Sequence, residues 1–304
     1  MWEKKNNTLQ LGDDPCVTWA LRALDARLEI ARWFKSVGHI DSAGILSLIE
    51  AEREVSDRWR RAILRISTKD YTQMHGQEAV DDRLFANLGC DAGWHHPLWR
   101  PIPTEQMQAG AALPFDSDSL RVVYLGHGLA QCPDAAADTL LSEIHRAMAP
   151  GGQLRIVVRD FQLAFDAYRA GWREQFLNVT DFAPIDAGQT VGQLFLSTFA
   201  EGLAGKVTDD DLARRFSEGT PVAVADDLCA EARQGEAAIR AEACNWYTFE
   251  KLERMVRRAG FGDVRRSYFG QSRAFVLQDT SFFDIPLSEV SVFVDAVKPF
   301  AGGA

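Results

Sequence analysis

The side chains best able to do chemistry are concentrated in one stretch, LFANLGCDAGWHHPLWRPIP, residues 84–103. An apolar run closes on Leu88-Gly89-Cys90, where a strand would hand over to a turn, and only glycine enters a left-handed turn there without steric cost. A thiol and two imidazoles follow, so metal binding has to be weighed: Cys90 with His95 and His96, or His127 with Cys132 further on. Adjacent histidines seldom point the same way, and neither grouping has the short, regular ligand spacing of a zinc site. No metal is predicted. Trp94 and Trp99 can wall a pocket or pack a loop, and the flanking prolines 97, 101 and 103 favour loop packing. No GxGxxG follows the strand, which argues against a dinucleotide oxidoreductase. Cys90 has no Cys-His-Asn arrangement around it, which argues against cysteine-based hydrolysis.

These residues need elements to position them. Pro15 suits a first helical turn, and Trp19, Leu21, Leu24, Leu28, Ala31 and Trp33 recur at near-helical spacing. A second run from Ile45 to Ile66 follows Gly38, so residues 1–80 read as a helical extension, either a cap over a site or a dimer face. From residue 84 short apolar strands alternate with helices: LFANLG (84–89), LRVVYLGHGL (120–129) and QLRIVVRDF (153–161), with a helix through Leu140, Leu141, Ile144 and Met148 that Pro150-Gly151-Gly152 ends. Continuous apolar strands separated by helices indicate a parallel sheet covered on both faces. Residues 162–243 read as mostly helical and acidic. Thr248 caps a further helix with a stripe of Phe249, Leu252, Val256 and Ala259, stopped by Gly260, and GDVRRSYFG with SVFVDAVKP makes a closing strand pair.

Composition bounds the partners. Of 304 residues, 46% are hydrophobic and 25% charged, enough for a packed core, and the net charge of −10 argues against a nucleic-acid footprint. Arg58, Arg60, Arg61 and Arg65 lie among acids and read as a solvated helix face. Five scattered cysteines without CxxC spacing read as reduced thiols. With no apolar leader and no run of eighteen apolar residues, the expectation is a cytoplasmic chain outside the membrane.

Residues 113–161, LPFDSDSLRVVYLGHGLAQCPDAAADTLLSEIHRAMAPGGQLRIVVRDF, resemble the C-terminal half of a class I S-adenosylmethionine-dependent methyltransferase domain of the type-11 kind. WYTFEKLERMVRRAGFGDVRRSYFGQSR and SVFVDAVKP resemble the family's tail, particularly members that accompany polysaccharide and nucleotide-sugar genes. The resemblance covers roughly residues 80–299, less the helical insert. It implies an α/β Rossmann-like class I methyltransferase fold over 81–304, with a mostly parallel seven-stranded sheet, a helical insert at about 175–243 and the cofactor at the carboxyl ends of the strands.

By the same resemblance Gly89, Cys90, Asp91, Leu98, Gln108 and Leu113 surround S-adenosylmethionine. In an active site His127, at a strand's carboxyl end facing the pocket, is the first choice of general base, though it can equally hydrogen-bond a neighbouring loop, and Asp160 and Tyr168 face the acceptor. Several of these positions depart from the family. Asp91 replaces the second Gly of GxG, and the loop is short. After its Gly-Trp, matched to Gly93-Trp94, the family reads apolar, polar, apolar, Asp; this falls on His95, His96, Pro97 and Leu98, putting leucine at the ribose acid. The family's adenine-contacting acid falls at or near Gln108, and Ala130 and Gln131 stand where the family usually has Glu and His after the fourth strand. Asp160 can equally cap the helix that follows it, and Tyr168 can equally pack it. Three readings remain open: methylation of a sugar-containing or other small acceptor, a catalytically inactive methyltransferase-like subunit that supports a partner protein, and a pocket rebuilt for another ligand. The N-terminal helices are expected to serve a homo- or hetero-oligomer.

Overall fold

The computed structural model describes residues 68–90, 94–103, 112–177, 188–234, 243–280, 282–284 and 287–300, with the backbone of 3–5 and 8–10. The expected helices of residues 15–66 lie outside the described residues. The chain divides into two units, residues 1–67 with 278–282, and residues 68–277 with 283–304. In the first, β1 (Glu3–Lys5) pairs antiparallel with β2 (Thr8–Gln10).

The second unit begins with two short helices, α1 (Thr68–His75) and α2 (Gln77–Asp81). Its sheet is built from β3 (Phe85–Cys90), β4 (Arg100–Pro103), β5 (Leu120–Gly126) and β6 (Met148–Arg159), closed by β7 (Gly262–Ser267) and β8 (Ser291–Val297). The strand order is β4-β3-β5-β6-β8-β7, and β8 alone runs against its neighbours. The doubly wound α/β architecture with a mostly parallel sheet is therefore present. Among the described residues the sheet has six strands rather than the expected seven.

Strand periodicity sorts the side chains onto two faces. Val123, Leu125, Ile156, Val158, Val292 and Val294 face one side, where α3 (Asp134–Ala147) and α9 (Phe249–Arg258) cover them. Helix α3 stops at Ala147, earlier than Pro150 suggests, because Met148 already pairs with Leu120 in the sheet. On α9 the cap is as expected, with Thr248 accepting from the Lys251 amide, but Lys251 and Met255 are buried alongside Leu252 and Val256. The expected closing strand pair is β7 with β8.

The other face carries Phe85, Tyr124, Arg155 and Asp295, all buried. Here the link from β3 to β4 forms no helix over its described residues 94–99. It lays an aromatic layer instead. Trp99 is fully buried and donates from Nε1 to the Tyr71 hydroxyl at 2.8 Å, with Phe283 4.6 Å from it, ring centre to ring centre.

Arg155 lies beyond this layer with no exposed surface, and all five of its N–H donors are used. Nε and Nη2 grip the two oxygens of Asp284 at 2.9 and 2.6 Å, and Nη2 also reaches the Tyr268 carbonyl at 2.9 Å. Nη1 donates to Asp295 at 3.0 Å and to the Ser267 hydroxyl at 3.2 Å. Burial opposes the guanidinium charge, but the paired carboxylates outweigh it and hold the pKa above its ordinary value.

The insert, which starts at α4 (Phe161–Ala170) and so is wider than the expected 175–243, has its own core. Helices α4, α5 (Arg173–Leu177), α6 (Val191–Leu196), α7 (Asp209–Glu218) and α8 (Pro221–Ala232) bring together Phe161, Phe165, Phe195, Phe199, Leu228 and Trp246. Side-chain caps start four of these helices, from Asp160, Thr190, Thr208 and Thr220.

Removing one member of a buried ion cluster strands the others, at about 3–5 kcal/mol. Arg155→Met and Arg155→Lys are both expected to lose stability on that scale in urea unfolding, since a single ammonium cannot replace five forked donors. A Lys variant as stable as the parent chain would refute this role.

Candidate functional site

In an open α/β sheet, ligands bind outside the carboxyl ends of the strands where the winding reverses. The chain steps from β3 out to β4 and then crosses back to β5, so the reversal lies between β3 and β5. Gly89 and Cys90 end β3, Gly126 and His127 end β5, and Pro103 ends β4.

Gly89 has φ of +73° beside a break in the β3–β4 register, so the turn uses the freedom that glycine alone supplies without steric cost. The Cys90 thiol is half-buried, 3.7 Å from the Asn87 carbonyl oxygen and 3.8 Å from that of Ile102. His127 also lies in the left-handed region, at φ +58°, with its amide donating to the Val157 carbonyl at 2.7 Å. The sequence reading placed it at a strand's carboxyl end, and that is where it lies.

The 3-10 turn Gly128–Gln131 that follows is fastened from a distant segment. The Cys244 amide donates to the Ala130 carbonyl at 2.9 Å, and the Tyr247 hydroxyl donates to that of Leu129 at 3.1 Å. Asn245 Nδ2 reaches the Cys132 carbonyl, Asp134 and the Tyr247 oxygen, while the buried Lys251 ammonium holds Asn245 Oδ1 and Asp134, each at 2.9 Å. Burial works against the Asp134 charge, but the bonds from Lys251 and Asn245 prevail and hold its pKa below the ordinary value. Sequence spacing carried no sign of this knot, because its members lie more than a hundred residues apart.

Leu98 requires a correction. β3 and β4 are parallel with Ala86 opposite Arg100, so Leu98 precedes β4 and lies at the end of the sheet opposite Gly89. The strand starts only after the buried Trp99, which makes Trp99, not Trp94, the tryptophan that leads into it. Pro103 stands at the carboxyl end of β4 instead, and it offers no side-chain acceptor. The next carboxylate along the chain is Glu105.

Asp91 and Gln108 lie outside the described residues. Leu113 is buried in the main core, its turn clamped by Glu143 and Arg146: Glu143 accepts from the Leu113 amide at 3.2 Å, and Arg146 donates to the Phe115 carbonyl at 3.1 Å. His95 is exposed whereas His96 is buried, so the adjacent imidazoles diverge. His96 packs among Tyr71, Trp94, Trp99 and Phe283, and its Nδ1 accepts from the Leu98 amide at 3.1 Å. Burial first, then Arg83 and His95, lower its pKa to about 4.

Asp160, just past the end of β6, is buried. It accepts from the Gln162 amide at 3.0 Å, capping α4, and from Arg266 at 3.2 Å. Burial raises its carboxyl pKa despite these bonds. Together with Arg159, Gln175, Phe176 and Thr198 it lines a small cleft of about 10 Å³, room for roughly one water molecule. Tyr168 stacks on Phe195 with ring centres 4.8 Å apart and packs against Phe165 and Phe216, so its ring belongs to the insert's aromatic core.

A cofactor with a ribose can be tested against this geometry. Gly89 suits a close backbone approach. Pro103 does not suit the ribose hydroxyls, and the described part of the first link supplies no helix N-terminus. Among the described residues, none at the end of β4 offers the carboxylate by which the resembled family holds the ribose of S-adenosylmethionine.

No family model matches the chain, and no curated protein matches it. Solved structures that align with it include an S-adenosylmethionine-dependent methyltransferase of Methanosarcina mazei, at 13% identity over 66% of this chain and 67% of the other, TM-score 0.30. A possible histamine N-methyltransferase of Thermotoga maritima aligns at 11% identity over 72% and 75%, TM-score 0.32. A putative methyltransferase of Haloferax volcanii, solved with its Trm112 activator, aligns at 12% identity over 80% and 97%, TM-score 0.33. At these TM-scores the fold assignment rests on the strand order itself.

Two outcomes follow. The folded-state pKa of His96 lies below the unfolded value, so the folded chain binds fewer protons there. Its contribution is complete above pH 6.5 and is lost as pH falls toward about 4. That loss is on the order of 2–3 kcal/mol. Urea midpoints between pH 4 and 7 should show a steeper acid loss for the parent chain than for His96→Gln, and parallel curves would refute this. Asp160→Ala should cost about 1–2 kcal/mol through the lost cap, while Asp160→Asn, which keeps an acceptor, should retain most of it in thermal unfolding.

Proposed function

We propose that this chain is a methyltransferase-fold protein that has lost the family's cofactor grip and serves as a non-catalytic subunit supporting a partner protein. The observation that carries this reading is Pro103 at the carboxyl end of β4, where the family's ribose-binding carboxylate would stand. Each ribose hydroxyl left without an acceptor costs about 1–3 kcal/mol. Losing both therefore weakens binding on the order of 100-fold or more. Asp91, Ala130 and Gln131, also at family positions, point the same way in sequence. The insert, with a core of its own and Trp172 largely exposed on it, supplies surface that the sheet does not need.

A second reading is favoured by one observation. His127 holds a left-handed backbone at the winding reversal, and unfavourable backbone conformations of this kind cluster at functional sites. On that reading the chain methylates a sugar-containing or other small acceptor, His127 is the base and Asp160 lies beside the acceptor.

Calorimetric titration with S-adenosylmethionine and S-adenosylhomocysteine separates the two. No saturable heat is expected up to about 1 mM ligand, a ceiling that corresponds to roughly 4 kcal/mol of binding free energy. Pro103→Asp is expected to gain measurable binding. Sub-millimolar binding by the parent chain, lost in Glu105→Gln, would overturn the non-catalytic reading by showing that a carboxylate two residues further on does the work.

A further inference from the structure

We draw no further inference here: the strongest candidate, the cluster of Cys132, Cys229 and Cys244 where the turn after β5 meets the end of the insert, carries nothing, because burial raises all three thiol pKa values and keeps the sulfurs protonated, and no three or more His, Cys, Asp or Glu among the described residues are placed to hold a metal ion.

Discussion

Arg155 sits in the middle of β6, the strand that joins the parallel part of the sheet to the antiparallel β8, and its guanidinium ties that junction together. Through Asp295 it holds β8, through Ser267 and the Tyr268 carbonyl the end of β7, and through Asp284 the loop that returns to β8. Asp284 in turn donates its amide to the Tyr124 hydroxyl on β5, so the network reaches back across two strands. A buried ion cluster of this kind gains little net stability over an apolar core of equal volume. It fixes position instead, because each of five donors has a partner at one place only.

That fixation matters because this face of the sheet is unusual. A doubly wound fold covers both faces with helices, and a link between parallel strands commonly contains one. Here the described part of the β3–β4 link is an extended aromatic segment, and Trp99, His96 and Phe283 fill the space with rings. The opposite face follows the ordinary plan, with α3 and α9 burying aliphatic stripes against the strands. Aliphatic packing under α3 and α9 dominates one side, while on the other α1 brings Tyr71 and His75 onto Phe85 and Trp99 beside the polar network.

At the carboxyl ends of the strands the backbone makes the turns that a ligand site uses, while the end of β4 offers no side-chain acceptor. Gly89 and His127 occupy left-handed conformations on either side of the winding reversal, and the turn after β5 is held from outside by Asn245, Tyr247 and Lys251. The backbone is therefore shaped for close approach. The side chain at the end of β4 is a proline ring, which can neither accept nor donate a hydrogen bond through its side chain. Shape and chemistry have separated at this site, and the non-catalytic proposal grows from that separation.

Periodicity made much of the fold legible. Apolar runs near 85, 120 and 153 are three of the parallel strands, β4 leaving no such mark, Thr248 and Gly260 bound a helix, and the last two strands pair as expected, because local burial and capping leave marks within a few residues. The turn at Gly89 and the strand-end position of His127 were legible for the same reason. Register between strands was not: Pro97 and Trp99 delay the start of β4, so a motif counted from Trp94 set Leu98 at the wrong end of the sheet. Nor were the partners of Arg155 or Lys251, which look like surface charges in sequence and are buried because residues more than a hundred positions away neutralise them. The sequence by itself determined which segments are strands and helices and where the turn after the first strand of the sheet begins. Only the tertiary structure decided which residue stands at each strand end and which charges lie inside, since both depend on pairing between distant segments.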